Sequence, residues 1–252
     1  MRTKVSLVVL LIDDFNNKVI TGSKARVRIP GEKPPIQKPE GYHVFTGLSE
    51  VRHQVLIESG MYESQTVPVN LSGEDAAYTM LKVRMVPNRA YLLPSGTTCV
   101  EGTAEPGSQI RLFCREGVKA MKLLYDYAGS GEHGREIGIY HSEEMDIEGK
   151  VLYIENKDRS KQEFFRISKA DGEGRYLLTD PLESSYKKIG TTIYPVYSTN
   201  ADEKGYFFLP VLNMSGDSRE FYCEAAGTEH TSHSCRLVKG TINKLNLLKE
   251  EG

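Results

Sequence analysis

The amino-acid sequence predicts an all-β fold assembled from consecutive β-sandwich modules. Short runs rich in β-branched and aromatic residues recur roughly every 10 residues, with Gly, Pro and Asn clusters between them. Only two segments, Ser72–Ala77 and Val118–Tyr127, read as helical, the second on the spacing of Val118, Met121 and Tyr125. The length of 252 residues exceeds one small sandwich and fits two or three compact modules.

The first module is expected over residues 1–86. Its strand runs are Val5–Ile12, Ala25–Ile29, Tyr42–Phe45, Gln54–Glu58, Thr66–Leu71 and Tyr78–Met85, with turn signals at Asn16-Asn17, Pro30-Gly31 and Ser59-Gly60. Val5–Ile12 is apolar at every position but Ser6, which predicts a strand in the middle of a sheet, covered on both faces. This run follows Met-Arg-Thr-Lys, as a signal peptide would. It ends after eight residues at Asp13-Asp14 with no small-residue cleavage site, and a membrane span needs about 20. It therefore reads as a first β-strand, with synthesis and assembly expected in the cytoplasm, before any release as part of a particle.

Asp13–Ile20 and Ala25–Ile29 resemble the opening strand–turn–strand of carboxypeptidase regulatory-like domains, which are transthyretin-like sandwiches. Gly41–Leu48 and Glu58–Tyr62 match that family's next two landmarks. Ser23-Lys24 replaces the usual pair of small residues, and Pro34, Pro35 and Pro39 enlarge the following loop. The resemblance implies a module that accompanies catalytic domains and carries no catalytic residues of its own.

Pro87-Asn88 opens a linker. Val100–Ser108, with its Ala-x-Pro-Gly turn, and the run Gln109–Arg115 resemble bacterial immunoglobulin-like domains. The matching later landmark, Asp202–Pro210, arrives about ninety residues beyond where a compact domain would place it. The expected second module is thus discontinuous, residues 87–118 with 199–252, and residues 119–198 form an inserted β-rich subdomain. Within the insert, Tyr176–Leu182 and Gly190–Ile193 resemble small β-barrel inserts of phage tail and fibre proteins.

The motifs that could carry chemistry fail on context. Gly129-Ser130-Gly131-Glu132-His133-Gly134 satisfies G-x-G-x-x-G, but a dinucleotide site needs a strand before it and a helix after it. Here the order is reversed. His141 and Glu144 have the H-x-x-E spacing of zinc carboxypeptidases, without a third ligand or the large α/β domain those enzymes need. The sequence has no nucleophile elbow, P-loop or H-E-x-x-H, so no catalytic residue and no cofactor are assigned. The sequons at Asn70 and Asn213 have meaning only on a eukaryotic secretory route.

Four cysteines occur, Cys99, Cys114, Cys223 and Cys235, none in a C-x-x-C pair. A hairpin centred on Glu229 would set Cys223 opposite Cys235, with His233 on the same face and His230 in the turn. Such a group could hold zinc, form a cross-strand disulfide or pack into the core. The alternation of Phe221, Cys223 and Ala225 with Tyr222 and Glu224, and of Ile110, Leu112 and Cys114 across the core, favours packing. No metal is therefore expected.

Lys plus Arg number 32 against 34 Asp plus Glu, a balance that gives no general field for nucleic acid. The module set resembles accessory proteins of phage tails and contractile injection particles. The functional expectation is a non-enzymatic structural or decorating component of a large assembly, with protein partners and no membrane span. The alternative is a carbohydrate- or cell-wall-binding surface module. A structural component should expose an unpaired strand edge, and a polysaccharide binder a flat row of aromatics.

Overall fold

The computed structural model describes residues 4–49, 51–71, 79–129, 134–142, 145–212, 214–227 and 230–248, without the side chains of 230 and 231. Ser72–Ala77 lies outside them. The fold is all-β, and among the described residues the one helical element is a 3-10 turn at Gly22–Lys24. Among the described residues no helix is long and apolar enough to cross a membrane. The chain divides into two compact units, Met1–Leu93 and Pro94–Gly252.

Unit one contains β1 (Val5–Asp13), β2 (Arg26–Arg28), β3 (Ile36–Gln37), β4 (Tyr42–Thr46), β5 (Arg52–Glu58), β6 (Gln65–Asn70) and β7 (Thr79–Met85). One sheet has the order β3-β4-β1-β7 and the other β2-β5-β6. The apolar first strand is interior, antiparallel to β4 and parallel to β7, and Leu7 through Ile12 are buried on both faces. Leu7, Val9 and Leu11 meet Phe45 and Met85 from their own sheet and Val27, Val55 and Ile57 from the other. That shared core makes the unit a β-sandwich.

The unit extends to Leu93, past the boundary expected at 86, because the linker is tied back into the fold. Tyr91 donates its hydroxyl to the buried Asp13 carboxylate at 2.6 Å, and Tyr62 donates to the same oxygen at 2.9 Å. The Tyr91 ring meets Phe15 and Tyr62 edge-on at 5.8 and 5.4 Å. Burial and the Asp13 charge push the Tyr91 hydroxyl up to about 12, so it stays a donor at neutral pH. A fragment of residues 1–93 is expected to be more stable than 1–88 by about 2 kcal/mol, the worth of a hydrogen bond to a charged group plus ring packing. Urea denaturation of the two fragments measures this, and equal midpoints would contradict it.

His43 on β4 is 4% exposed, and among the described residues its Nδ1 has no hydrogen-bond partner. Burial holds its pKa below the ordinary imidazole value, so the folded unit takes up a proton less readily than the unfolded chain. The stability tied to neutral His43 is fully present above about pH 6.5 and is lost as pH falls towards the depressed folded value. The urea midpoint of wild type should therefore fall between pH 7.5 and 5 more steeply than that of His43→Gln. Parallel profiles would rule this out.

Unit two contains β8 (Thr98–Thr103), β9 (Gln109–Phe113), β10 (Lys122–Leu123), β11 (Glu136–Tyr140), β12 (Val151–Asn156) and β13 (Gln162–Ala170). It continues through β14 (Arg175–Leu178), β15 (Thr191–Asn200), β16 (Tyr206–Val211), β17 (Ser218–Ala226), β18 (His230–Val238) and β19 (Ile242–Asn246). Nine strands form one sheet, β10-β11-β14-β13-β12-β15-β9-β17-β18, and three form another, β16-β8-β19. The Pro106-Gly107 turn joins β8 to β9, with Ser108 N bonded to Glu105 O at 3.0 Å and Gly107 at φ 75°. Pro at the second and Gly at the third position is the requirement of a type II turn.

The segment Val118–Tyr127 is not helical. Met121 and Leu123 are buried while Lys122 is exposed, a period of two, and Met121 exchanges both backbone hydrogen bonds with Ile193. Tertiary pairing has overridden the helical spacing. Nor do residues 119–198 close into a barrel. Their strands curl around a core of Leu123, Ile137, Ile139, Leu152, Ile154 and Ile167, but the Met121–Ile193 contact is a single bridge. With β10 only two residues long, no ladder can complete the ring.

Residue 198 is not a break in the structure. β15 pairs Thr191–Pro195 with β12 and continues without interruption to pair Val196–Asn200 with β9. One strand thus carries hydrogen bonds of both halves of unit two. The second half has its own core, where Val100, Phe207 and Leu209 meet Ile110, Leu112, Phe221 and Cys223.

Candidate functional site

The cysteine–histidine group falls on the hairpin β17–β18. Ala226 stands opposite His230, Cys223 opposite His233, and Phe221 opposite Cys235. The expected pairing of Cys223 with Cys235 is therefore corrected: the register is displaced by two residues along β18. An even displacement keeps every side chain on its expected face. Cys223 is buried, Cys235 half-buried and His233 exposed, and all four cysteines of the chain are free thiols. Diagonal positions in an antiparallel pair have Cα atoms about 7–8 Å apart, beyond the usual disulfide span of about 4.4–6.8 Å.

Burial pushes the Cys223 thiol up to about 12 and the Cys235 thiol to about 11, so neither supplies a thiolate at neutral pH. Cys223 packs in one core with Cys114, Ile110 and Leu112, and Cys235 borders it. Among the described residues no group of three His, Cys, Asp or Glu side chains is placed to hold a metal ion; the His230 side chain lies outside them.

The opposite face of the nine-stranded sheet carries a constellation that the sequence reading missed. Phe113 on β9 stacks on Tyr153 of β12 at 4.0 Å and on Tyr222 of β17 at 5.4 Å, while Phe164 of β13 meets it edge-on at 5.8 Å. Tyr194 and Val196 of β15 fill the space between the strands. Two arginines roof the rings. The Arg115 guanidinium lies 4.0 Å from the Tyr222 centroid and 5.1 Å from Phe113, and Arg111 lies 4.8 Å from Phe164.

Each arginine is held by a carboxylate. Arg115 binds both oxygens of the buried Glu155, with Nε at 3.1 and 3.0 Å and a terminal nitrogen at 2.9 Å, and Arg111 pairs with Glu224 at 3.0 Å. Burial alone would pull the Arg115 pKa down; hydrogen bonding to and attraction by Glu155 outweigh it and leave it raised. Phe113 and Tyr153 are each only 5% exposed. The row is a seam joining the two halves of the unit, with Phe113 and Tyr153 enclosed and Phe164 and Tyr222 half-buried. Its sequence signal was the alternation Arg111-Phe113-Arg115 on the face opposite Ile110-Leu112-Cys114.

Of the remaining motif residues, His141 contacts the Tyr176 hydroxyl through Nε2 and the Ser142 carbonyl through Nδ1, whereas Glu144 lies outside the described residues. Gly129 and Gly134 are described and the four residues between them are not.

No protein-family profile and no curated protein matches the chain. A comparison with solved structures finds a DUF3823 family protein from Bacteroides ovatus, at 8% identity and a TM-score of 0.25, covering 94% of this chain and 98% of that one. At that TM-score the match carries no argument about fold or function.

Proposed function

We propose that the chain is a non-enzymatic structural or decorating component of a large protein assembly, of the kind that accessory proteins of phage tail-like and contractile injection particles represent. In this reading the first unit is a carboxypeptidase regulatory-like module and the second an immunoglobulin-like module bearing a β-rich insert. The observation that carries the proposal is the edge of β18. This strand is nine residues long, pairs only with β17 among the described residues, and has Ser232, His233 and Ser234 exposed.

Four of the other sheet edges have devices that block edge pairing. β3 and β10 are two residues long, β6 contains Pro68 and β16 contains Pro210. From His230 to Cys235, β18 has no Lys, Asp, Glu or Pro, so its backbone groups are open to a strand from a partner protein. The buried carboxylates support the non-enzymatic reading, since Asp13 and Glu155 are both fully used in holding tyrosines and arginine in place.

Purified chain is expected to self-associate, or to co-purify from its native source with one stoichiometric protein, across an interface of about 1,200–2,000 Å². Placing lysines on the edge, as Ser232→Lys with Ser234→Lys, should abolish that association while leaving the thermal unfolding of the chain intact. A wild type that sediments as a monomer and brings down no stoichiometric partner would refute the proposal.

A further inference from the structure

We propose that the chain is processed beside Leu92 by an endopeptidase that seats large apolar side chains, and that the hydroxyl latch between Tyr91 and Asp13 gates the cut. The site lies at the junction in sequence of the two compact units, Met1–Leu93 and Pro94–Gly252. Up to Tyr91 the chain is fastened to unit one. Asn88 donates its side-chain nitrogen to the Gly60 carbonyl at 3.3 Å and the Tyr62 carbonyl at 3.1 Å, and Tyr91 N donates to Asn88 O at 3.0 Å. Thr98, 3% exposed, is the first buried residue of unit two.

Between those anchors Leu92, Pro94, Ser95 and Gly96 are exposed, and Leu92 keeps 86% of its surface open. None of the four belongs to a strand. Two short turns shape the stretch, with Leu93 N bonded to Tyr91 O at 3.0 Å and Thr97 N to Pro94 O at 3.2 Å. Exposed connections of this kind are where nicking concentrates. From Tyr91 to Thr97 the large apolar side chains are Tyr91, Leu92 and Leu93. The bond after Leu93 is a poor substrate, because Pro94 has no N–H and a fixed φ. The bonds on either side of Leu92 remain. Hydrolysis adds the hydroxyl of one water to the carbonyl carbon of Tyr91 or Leu92 and its proton to the nitrogen that follows, leaving a new carboxyl group and a new amine.

Access is controlled by Tyr91. A protease binds several residues on both sides of the scissile bond in extended form, so Tyr91 has to leave unit one before either bond is cut. In the fold its hydroxyl donates to Asp13 Oδ2 at 2.6 Å and accepts from Asn16 Nδ2 at 3.2 Å, and its ring packs on Phe15 and Tyr62. The rate of cutting then follows the population of the form in which this latch is open, a local opening distinct from global unfolding. After the cut Tyr91 returns to Asp13, and each product keeps its own core. The gate uses the latch alone and is independent of the β18 edge and of the assembly proposal.

The test is limited digestion of the full chain with chymotrypsin, with fragments identified by mass spectrometry and followed in time. The first products should end at Tyr91 or Leu92 and begin at Leu92 or Leu93. Tyr91→Phe keeps a ring that the protease accepts and removes the hydroxyl. It should speed that cut about tenfold, as loss of a hydrogen bond to a charged group implies. Ile57→Val, which loosens the core of unit one away from the latch, should leave the rate of that cut unchanged. A first cut elsewhere, a Tyr91→Phe chain cut no faster than wild type, or an equal acceleration by Ile57→Val would each overturn the gate.

Discussion

Replacing Glu155 with alanine is expected to destabilise the second unit by about 3–5 kcal/mol, because it strands the largely buried guanidinium of Arg115. Among the described residues, Glu155 is the one carboxylate placed against Arg115, and the roof of Phe113, Tyr153 and Tyr222 admits little water to replace it. The double substitution Arg115→Met with Glu155→Leu should recover most of the loss, since exchanging a buried pair for apolar side chains of similar volume is often neutral. A double-mutant cycle by chemical denaturation separates the coupling from the individual truncations. If Glu155→Ala shifts the midpoint no more than a surface substitution does, the pair is not what locks the seam. For function, the consequence is rigidity: with the seam intact, one continuous sheet runs from the β10 edge to the β18 edge.

A second large effect is expected at Gly102. In the three-stranded sheet the row Phe207–Gly102–Leu245 crosses β16, β8 and β19. A Cβ at position 102 would lie 1.9 Å from the carbonyl oxygen of Leu245, 2.8 Å from its carbonyl carbon and 3.0 Å from Phe207 Cε1. Two of these neighbours are backbone atoms in a paired strand, so no rotamer change relieves the clash. Gly102→Ala should cost about 3 kcal/mol or more, above the usual range for overpacking, by forcing β19 from β8. Gly60, by contrast, has open space around its Cβ position, and Gly60→Ala should be tolerated. Thermal unfolding of both variants decides the point, and equal melting temperatures would show that β19 is not held where the structure has it.

Much of the fold is legible in the residues alone. The apolar run after Lys4 announces an interior strand, and β1 lies between β4 and β7 with both faces buried. The alternations Ile110-Leu112-Cys114 and Phe221-Cys223-Ala225 announce two strands facing one core, and all six residues lie in it. These readings hold because side-chain direction along a strand has a period of two, a local property written in consecutive residues.

Which strands become neighbours is not local. Arg115 meets Glu155 across 40 residues of sequence, and neither segment names the other. The register of β17 against β18 escapes for a related reason. Displacement by two residues leaves every side chain on its face, so the hydrophobic pattern fits either register equally. The segment Val118–Tyr127 shows the same limit from the other side. Its helical spacing is real, but backbone bonding to Ile193 decides the conformation. By itself, then, the sequence determined that this chain is built from β-strands and which side chains of each strand point inward. The tertiary structure alone decided that β15 serves two halves, that Phe113 and its neighbours form the seam between them, and that β18 lies at the end of its sheet. Each of these depends on contacts between distant segments, whose free energy is set by packing and pairing in three dimensions and leaves no periodic trace along the chain.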